Sequence, residues 1–152
     1  MTQAALFVAE QTELTSDDYY TPAWVFERMG IEFDLDPCAP PGGGPFVPTK
    51  RFYTKADDGL TSPWSGRVWM NPPYSKPTPW VARFIEHRNG VCLVPFAKSR
   101  WFDLLWSSAD AVVAPGVEAS RFIGGPIFMP VMAAAFGADN VEALARLGRC
   151  RR

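Results

Sequence analysis

Apolar and polar positions change period repeatedly along this chain. From 31 to 36 they alternate, with Ile31, Phe33 and Leu35 against Glu32, Asp34 and Asp36, a period of two that predicts a strand ended by Pro37. Just upstream, Val25, Phe26 and Met29 recur at helical spacing behind Thr21-Pro22, where Thr suits an N-cap and Pro the first helical position. Gly30 is a natural helix stop. Residues 67–70 (RVWM) read as a short apolar strand. Residues 79–88 read as an amphipathic helix with Val81, Phe84 and Ile85 inward and His87 on the polar side. Residues 91–96 form a buried strand around Cys92, and Ser99 is placed to cap the helix RWFDLLWSS. Strands follow at 110–115 and 131–137. A last helix runs over DNVEALARLG, with Asp139 as cap and Gly148 as stop. Strands alternating with helices predict an α/β fold, a mostly parallel sheet flanked by helices.

The segment 37–48, PCAPPGGGPFVP, carries five Pro and three Gly and admits no regular element. What precedes it is too small to fold alone, so it reads as a loop within one domain. The expected organisation is a mobile arm over 1–15, a single domain over 16–148 and a basic tail over 149–152. At 152 residues, 47% hydrophobic and 20% charged, the chain has the make-up of a globular protein with a sizeable core. No segment approaches the length and apolarity of a membrane span, and the N-terminus carries no export signal, so a cytoplasmic protein is expected. Three separated cysteines and one histidine, without a CxxC pair, argue against a disulfide framework and a metal site. The net charge of −1 conceals an asymmetry: residues 1–50 hold eight acids and two bases, residues 51–152 eight acids and thirteen bases. A local basic face is thus compatible with a neutral total.

In open α/β sheets ligands bind outside the carboxyl ends of the strands. Three unusual segments fall at such ends: DPCAPPGGG, NPPYS and PFAKS. In Asn71-Pro72-Pro73-Tyr74 the prolines lock φ and donate no hydrogen bonds, so the local carbonyls are held rigidly. Asn71 adds a side-chain acceptor. Two adjacent acceptors can grip an amino group by both hydrogens, and Tyr74 can stack on the flat ring that carries it. The plain alternative is a strand-ending Pro-Pro turn. Upstream, Asp34 and Asp36 end the first strand before a small-residue loop, a pattern suited to a ribose, an ammonium or a sulfonium, and equally to turn chemistry. Asp58, in DDGL, forms either an Asx turn or an acceptor for a ligand amine.

Taken in order, Tyr20-Thr21-Pro22, Asp36-Pro37-Cys38-Ala39, DDGL with Trp64, and Asn71-Pro72-Pro73-Tyr74-Ser75 resemble the phage-type DNA adenine N6-methyltransferase family, S-adenosylmethionine-dependent enzymes of phages and prophages. The resemblance continues through VPFAKSRWF and SRFIGGPIFMP and covers roughly residues 16–137. It implies an abridged Rossmann-like methyltransferase fold in a phage- or prophage-encoded protein acting in the bacterial cytoplasm. It implies that S-adenosyl-L-methionine is the cofactor, bound by Tyr20, Thr21, Pro22, Asp36, Pro37, Cys38, Ala39 and Asp58. It gives Asn71, Pro72 and Tyr74 the catalytic grip and the stacking platform. The chain departs from the family pattern in three ways: the donor loop lacks a clean GxG, no acidic residue for the ribose follows a second strand, and no separate target-recognition domain fits the length.

Pulling on both N–H bonds of the adenine amine localises the nitrogen lone pair, which a sulfonium methyl donor can then meet. A duplex adenine is out of reach in place, so double-stranded DNA with a flipped base is the expected substrate. Pro73, Ser75, Lys76, Lys98, Arg100 and Arg121 are the expected DNA contacts, with Trp101 as a further candidate. The alternatives are the same chemistry on RNA or protein glutamine, or a catalytically inactive nucleic-acid-binding relative.

Overall fold

The alternating segment 31–36 lays the first course of a sheet. In the computed structural model, which describes residues 20–115 and 130–152, Phe33 bridges Thr49, Leu35 bridges Val68 and Asp36 bridges Phe52, all in parallel. These are isolated bridges rather than the continuous strand expected. The N–H groups of Asp34 and Leu35 both turn to the Arg67 carbonyl, at 2.7 and 3.3 Å, which breaks the regular ladder.

Five strands continue from there: β1 (Val68–Met70), β2 (Gly90–Pro95), β3 (Ala111–Val113), β4 (Val131–Phe136) and β5 (Cys150–Arg151), in spatial order β1-β2-β4-β3-β5. β1 and β2 are parallel, with Met70 opposite Cys92. The β2–β4, β3–β4 and β3–β5 pairs are antiparallel. The expectation of a mostly parallel sheet is therefore corrected to a mixed one. Element order carries no strand direction. β4 takes its central place by burying all six of its residues while pairing with β2 along its whole length. The basic C-terminus contributes β5 through Cys150 and Arg151.

The helices are α1 (Ala23–Met29), α2 (Thr78–His87), α3 (Arg100–Ser108) and α4 (Ala138–Leu144), the last followed by a 3-10 turn over Ala145–Leu147. Strand pleating divides the core between the two faces of the sheet. Val91 and Leu93 of β2, with Val131, Ala133 and Ala135 of β4, pack under Val25, Phe26 and Met29 of α1 and Val141 and Leu144 of α4. Cys92, Val94, Met132, Ala134 and Phe136 face Val81 and Phe84 of α2 and Leu105 of α3. The result is an α/β/α sandwich. No helix among the described residues is long and apolar enough to cross a membrane.

The caps depart from the sequence pattern in instructive ways. Gly30 does end α1 in the left-handed region at φ 66°. At the start of α1, however, extended Pro22 is the N-cap, and the Thr21 hydroxyl is engaged elsewhere. Ser99 occupies the N-cap position of α3 without a side-chain bond to the helix. α4 is capped by Gly137 rather than Asp139. The Gly137 N–H donates to the Asp110 carboxylate at 2.8 Å, so the acceptor comes from the residue just before the adjacent strand β3. His87 is half-buried, with Nε2 2.8 Å from the Gly66 carbonyl.

The parallel portion positions the site. The 33–36 segment, β1 and β2 run in one direction, which brings their carboxyl ends, and the segments following Leu35, Met70 and Pro95, onto one rim.

Candidate functional site

Only three polar side chains are buried among the described residues, Thr21, Asp36 and Asn140, and the first two lie on this rim. Asn71 leaves β1 directly after buried Met70. Its Nδ2 donates to the Thr21 Oγ at 3.3 Å, tying the start of α1 to the end of β1 across fifty residues of chain. That bond fixes the plane of the amide. Oδ1 is left buried and without a hydrogen-bond partner among the described residues. A buried, unsatisfied acceptor costs about 1–3 kcal/mol, which an arriving N–H donor recovers.

The prolines behave as their chemistry requires. The Pro73 carbonyl accepts from the Lys76 N–H at 3.1 Å and closes the turn, whereas the Pro72 carbonyl accepts no backbone N–H among the described residues. Pro72 is buried, Pro73 half-buried, and Ser75 and Lys76 exposed. Tyr74 is half-buried against the cluster under α1. Burial, and secondarily the Cys92 thiol, hold its phenol well above the usual range, so it stays protonated.

The two candidate carboxylates ahead of the loop part company. Asp34 is structural. Its Oδ2 accepts the Arg67 N–H at 2.7 Å, its Oδ1 lies 3.3 Å from Lys50 Nζ, and the Arg67 N–H holds its carboxyl below the ordinary value. Asp36 is 3% exposed and makes no ion pair among the described residues. Its Oδ1 accepts the Cys38 N–H at 3.2 Å, yet burial pushes the carboxyl up to about 7. Such a group is poised for a cation. Pro37 and Ala39 are buried and Cys38 half-buried beside it, with the Ala39 N–H on the Tyr53 carbonyl at 2.9 Å.

The DDGL segment packs onto this loop. A Cβ on Gly59 would stand 1.9 Å from the Pro37 carbonyl oxygen, so only glycine permits the approach. Asp58 is exposed with φ 52°, and its Oδ1 accepts the Leu60 N–H at 3.3 Å, the Asx-turn geometry. Tyr20 is half-buried, next to buried Thr21 and Pro22. Motifs spread over 50 residues thus converge: Thr21 on Asn71, and Gly59 on Pro37.

Two participants were missed by sequence reasoning or left without a role. Arg83 of α2 donates to the carbonyls of Gly59, Leu60 and Ser62, and its guanidinium lies 4.8 Å over the Trp64 ring. Trp64 Nε1 donates to the Gly59 carbonyl at 2.7 Å. Nothing in the helical period around Arg83 marks a partner loop more than twenty residues upstream. The tryptophan closing the DDGL motif was the one available hint.

Beyond β2 an open groove of about 720 Å³ is lined by Phe96, Lys98, Ser99, Arg100, Phe102 and Asp103. It sits one strand over from Asn71. Lys98 and Arg100 are exposed, and Phe96 and Phe102 meet at 5.5 Å. Trp101 packs edge-on to Phe102 at 5.8 Å. Arg121 lies outside the described residues. Among the described residues no three His, Cys, Asp or Glu side chains gather as a metal-ligand set.

This geometry joins an orphaned amide acceptor, a buried carboxylate and a rim of basic residues, and the comparisons with known proteins agree in kind. The model of the DNA N-6-adenine-methyltransferase (Dam) family matches residues 9–125. A curated relative, the DNA N-6-adenine-methyltransferase of Haemophilus phage HP1 (strain HP1c1), is 37% identical over 108 residues, which are 64% of this chain and 61% of the relative. The chain therefore spans less than two thirds of that relative's length. With the family model covering most of the chain, this protein belongs to the DNA N-6-adenine-methyltransferase (Dam) family.

Proposed function

We propose that this protein transfers a methyl group from S-adenosyl-L-methionine to the exocyclic N6 amine of adenine in DNA. The observation that carries this reading is Asn71: its amide is anchored by Thr21 and its Oδ1 is buried without a partner among the described residues. A target amine brings two N–H donors. Asn71 Oδ1 accepts one and the Pro72 carbonyl the other, drawing the nitrogen toward a tetrahedral geometry with an available lone pair. Both acceptors are held before the substrate arrives, which is where electrostatic preorganisation is most effective. Tyr74, neutral and half-buried, contributes ring surface rather than proton transfer.

On the donor side, Asp36 fits a cationic ligand. Its carboxyl, buried without a counter-charge among the described residues, regains its ionised form beside an ammonium or sulfonium group. S-adenosylmethionine, when bound, supplies the electrophilic methyl. Thr21-Pro22, the 36–39 loop and Asp58 hold it, within an abridged Rossmann-like methyltransferase fold. Lys76, Lys98 and Arg100 take the phosphates, with Arg121 assigned to the same role, while Pro73 and Ser75 line the path of the flipped base. Extrusion of that base costs a few kcal/mol.

Incubation with tritiated donor and unmethylated DNA tests the reading. Label in DNA from wild type, and none from Asn71→Ala with donor binding retained, is the expected result. Label in RNA or protein glutamine instead, or donor binding without any transfer, refutes it.

A further inference from the structure

We propose that Arg83 is a positioning residue that sets the donor-side loop at a fixed distance from the amine-binding segment. The inference rests on the donor and acceptor assignment above. α2 starts at Thr78, directly after the Asn71–Lys76 turn and Pro77, so Arg83 is carried on the helix that continues from the amine grip. From that helix the Arg83 guanidinium reaches the 59–62 loop. Nη1 donates to the Gly59 carbonyl at 3.3 Å and to the Leu60 carbonyl, and Nη2 donates to the Ser62 carbonyl at 2.7 Å. Trp64 closes the arrangement from the other side, with its ring under the guanidinium and its indole N–H on the Gly59 carbonyl.

One planar fork thus engages three loop carbonyls at once, which a lysine ammonium cannot span. Arg83 forms no ion pair among the described residues, so its charge is spent on the loop alone. The loop it grips carries Asp58, a non-glycine residue at φ 52°. Such a backbone persists only where its surroundings hold it. The same loop is pressed onto Pro37 at Gly59. Helix, clamp, Asp58 loop and 36–39 loop form one continuous chain of contacts from the acceptor side to the donor side.

The test is steady-state kinetics with S-adenosylmethionine and DNA, together with calorimetric donor binding. Arg83→Gln is expected to raise the donor KM and Kd at least about tenfold, from the lost charge-assisted bonds, while the DNA KM stays within about twofold. Arg83→Lys does not restore donor affinity. Trp64→Phe, which keeps the ring and removes the indole donor, raises the donor KM about threefold. Asp58→Asn combined with Arg83→Gln costs less than the sum of the two single changes, since both act through one loop. An unchanged donor KM in folded Arg83→Gln overturns the proposal, as does a defect confined to the DNA KM. If Arg83→Gln does not fold, an unchanged donor KM in Trp64→Phe overturns it. Wild type is measured first: no donor binding there refutes the methyl-transfer reading itself, whereas normal wild-type binding with unaffected variants refutes the role of Arg83 alone.

Discussion

Replacing Asp36 by asparagine probes the donor half of the site through stability as well as through binding. In the folded chain burial raises this carboxyl from 3.8 to about 7, outweighing the downward pull of the Cys38 N–H. The unfolded chain keeps the ordinary value. Between those two pH values the folded state retains a proton that the unfolded state releases. The stabilisation is fully present below about pH 4, declines as pH rises and is gone above about pH 7. The displacement corresponds to roughly 4 kcal/mol. Asp36→Asn keeps the Oδ1 acceptor for Cys38 and deletes the charge. Urea unfolding is the assay. Near pH 4 the two proteins should be about equally stable, and near pH 8 the variant should be the more stable by up to roughly 4 kcal/mol. Donor binding should move the opposite way. Wild-type affinity rises as pH climbs through about 7, because the ionised carboxylate meets the cation, while the variant binds more weakly and loses that pH dependence. Stability curves that run parallel across this pH range, or a donor affinity indifferent to the substitution, would refute the reasoning.

Other consequences are open to measurement. Gly59→Ala places a methyl group 1.9 Å from the Pro37 carbonyl; it should cost about 1–3 kcal/mol in thermal unfolding and weaken donor binding by calorimetry. Thr21→Val removes the hydroxyl that orients Asn71; kcat should fall about tenfold or more in the transfer assay run at saturating donor. Lys98→Ala with Arg100→Ala should reduce the slope of log K against log salt for DNA binding by about 1.8, whereas an unaltered slope removes both residues from the phosphate contacts.

The elements were legible where the hydrophobic period was strong. β2, β4, α2 and α3 lie within a few residues of their predicted spans, because apolar runs such as VCLV and VMAAAF have nowhere to go but the core. Strand direction was not legible. β4 runs antiparallel to β2 through a pairing decided by tertiary packing, which no local pattern encodes. The caps failed for a similar reason: Thr21 has the right chemistry for an N-cap, but Asn71 claims its hydroxyl from fifty residues away. At the site, the short segments NPPY and DPCA were legible as breaks in regular structure at strand ends, because proline fixes φ and removes a backbone donor. The difference between Asp34 and Asp36 was not, since a regular alternating segment would put both on one face, and only the fold, with its irregular ladder at Asp34 and Leu35, sets one beside Arg67 and Lys50 and buries the other. Arg83 was invisible because its partners are backbone carbonyls, which carry no side-chain signature.

The most direct measurement is mass spectrometry of nucleosides from unmethylated DNA incubated with the protein and S-adenosylmethionine. N6-methyladenine should appear with wild type and be absent with Asn71→Ala. Methylation on cytosine, or no methylated nucleoside from a protein that binds the donor, would contradict the account.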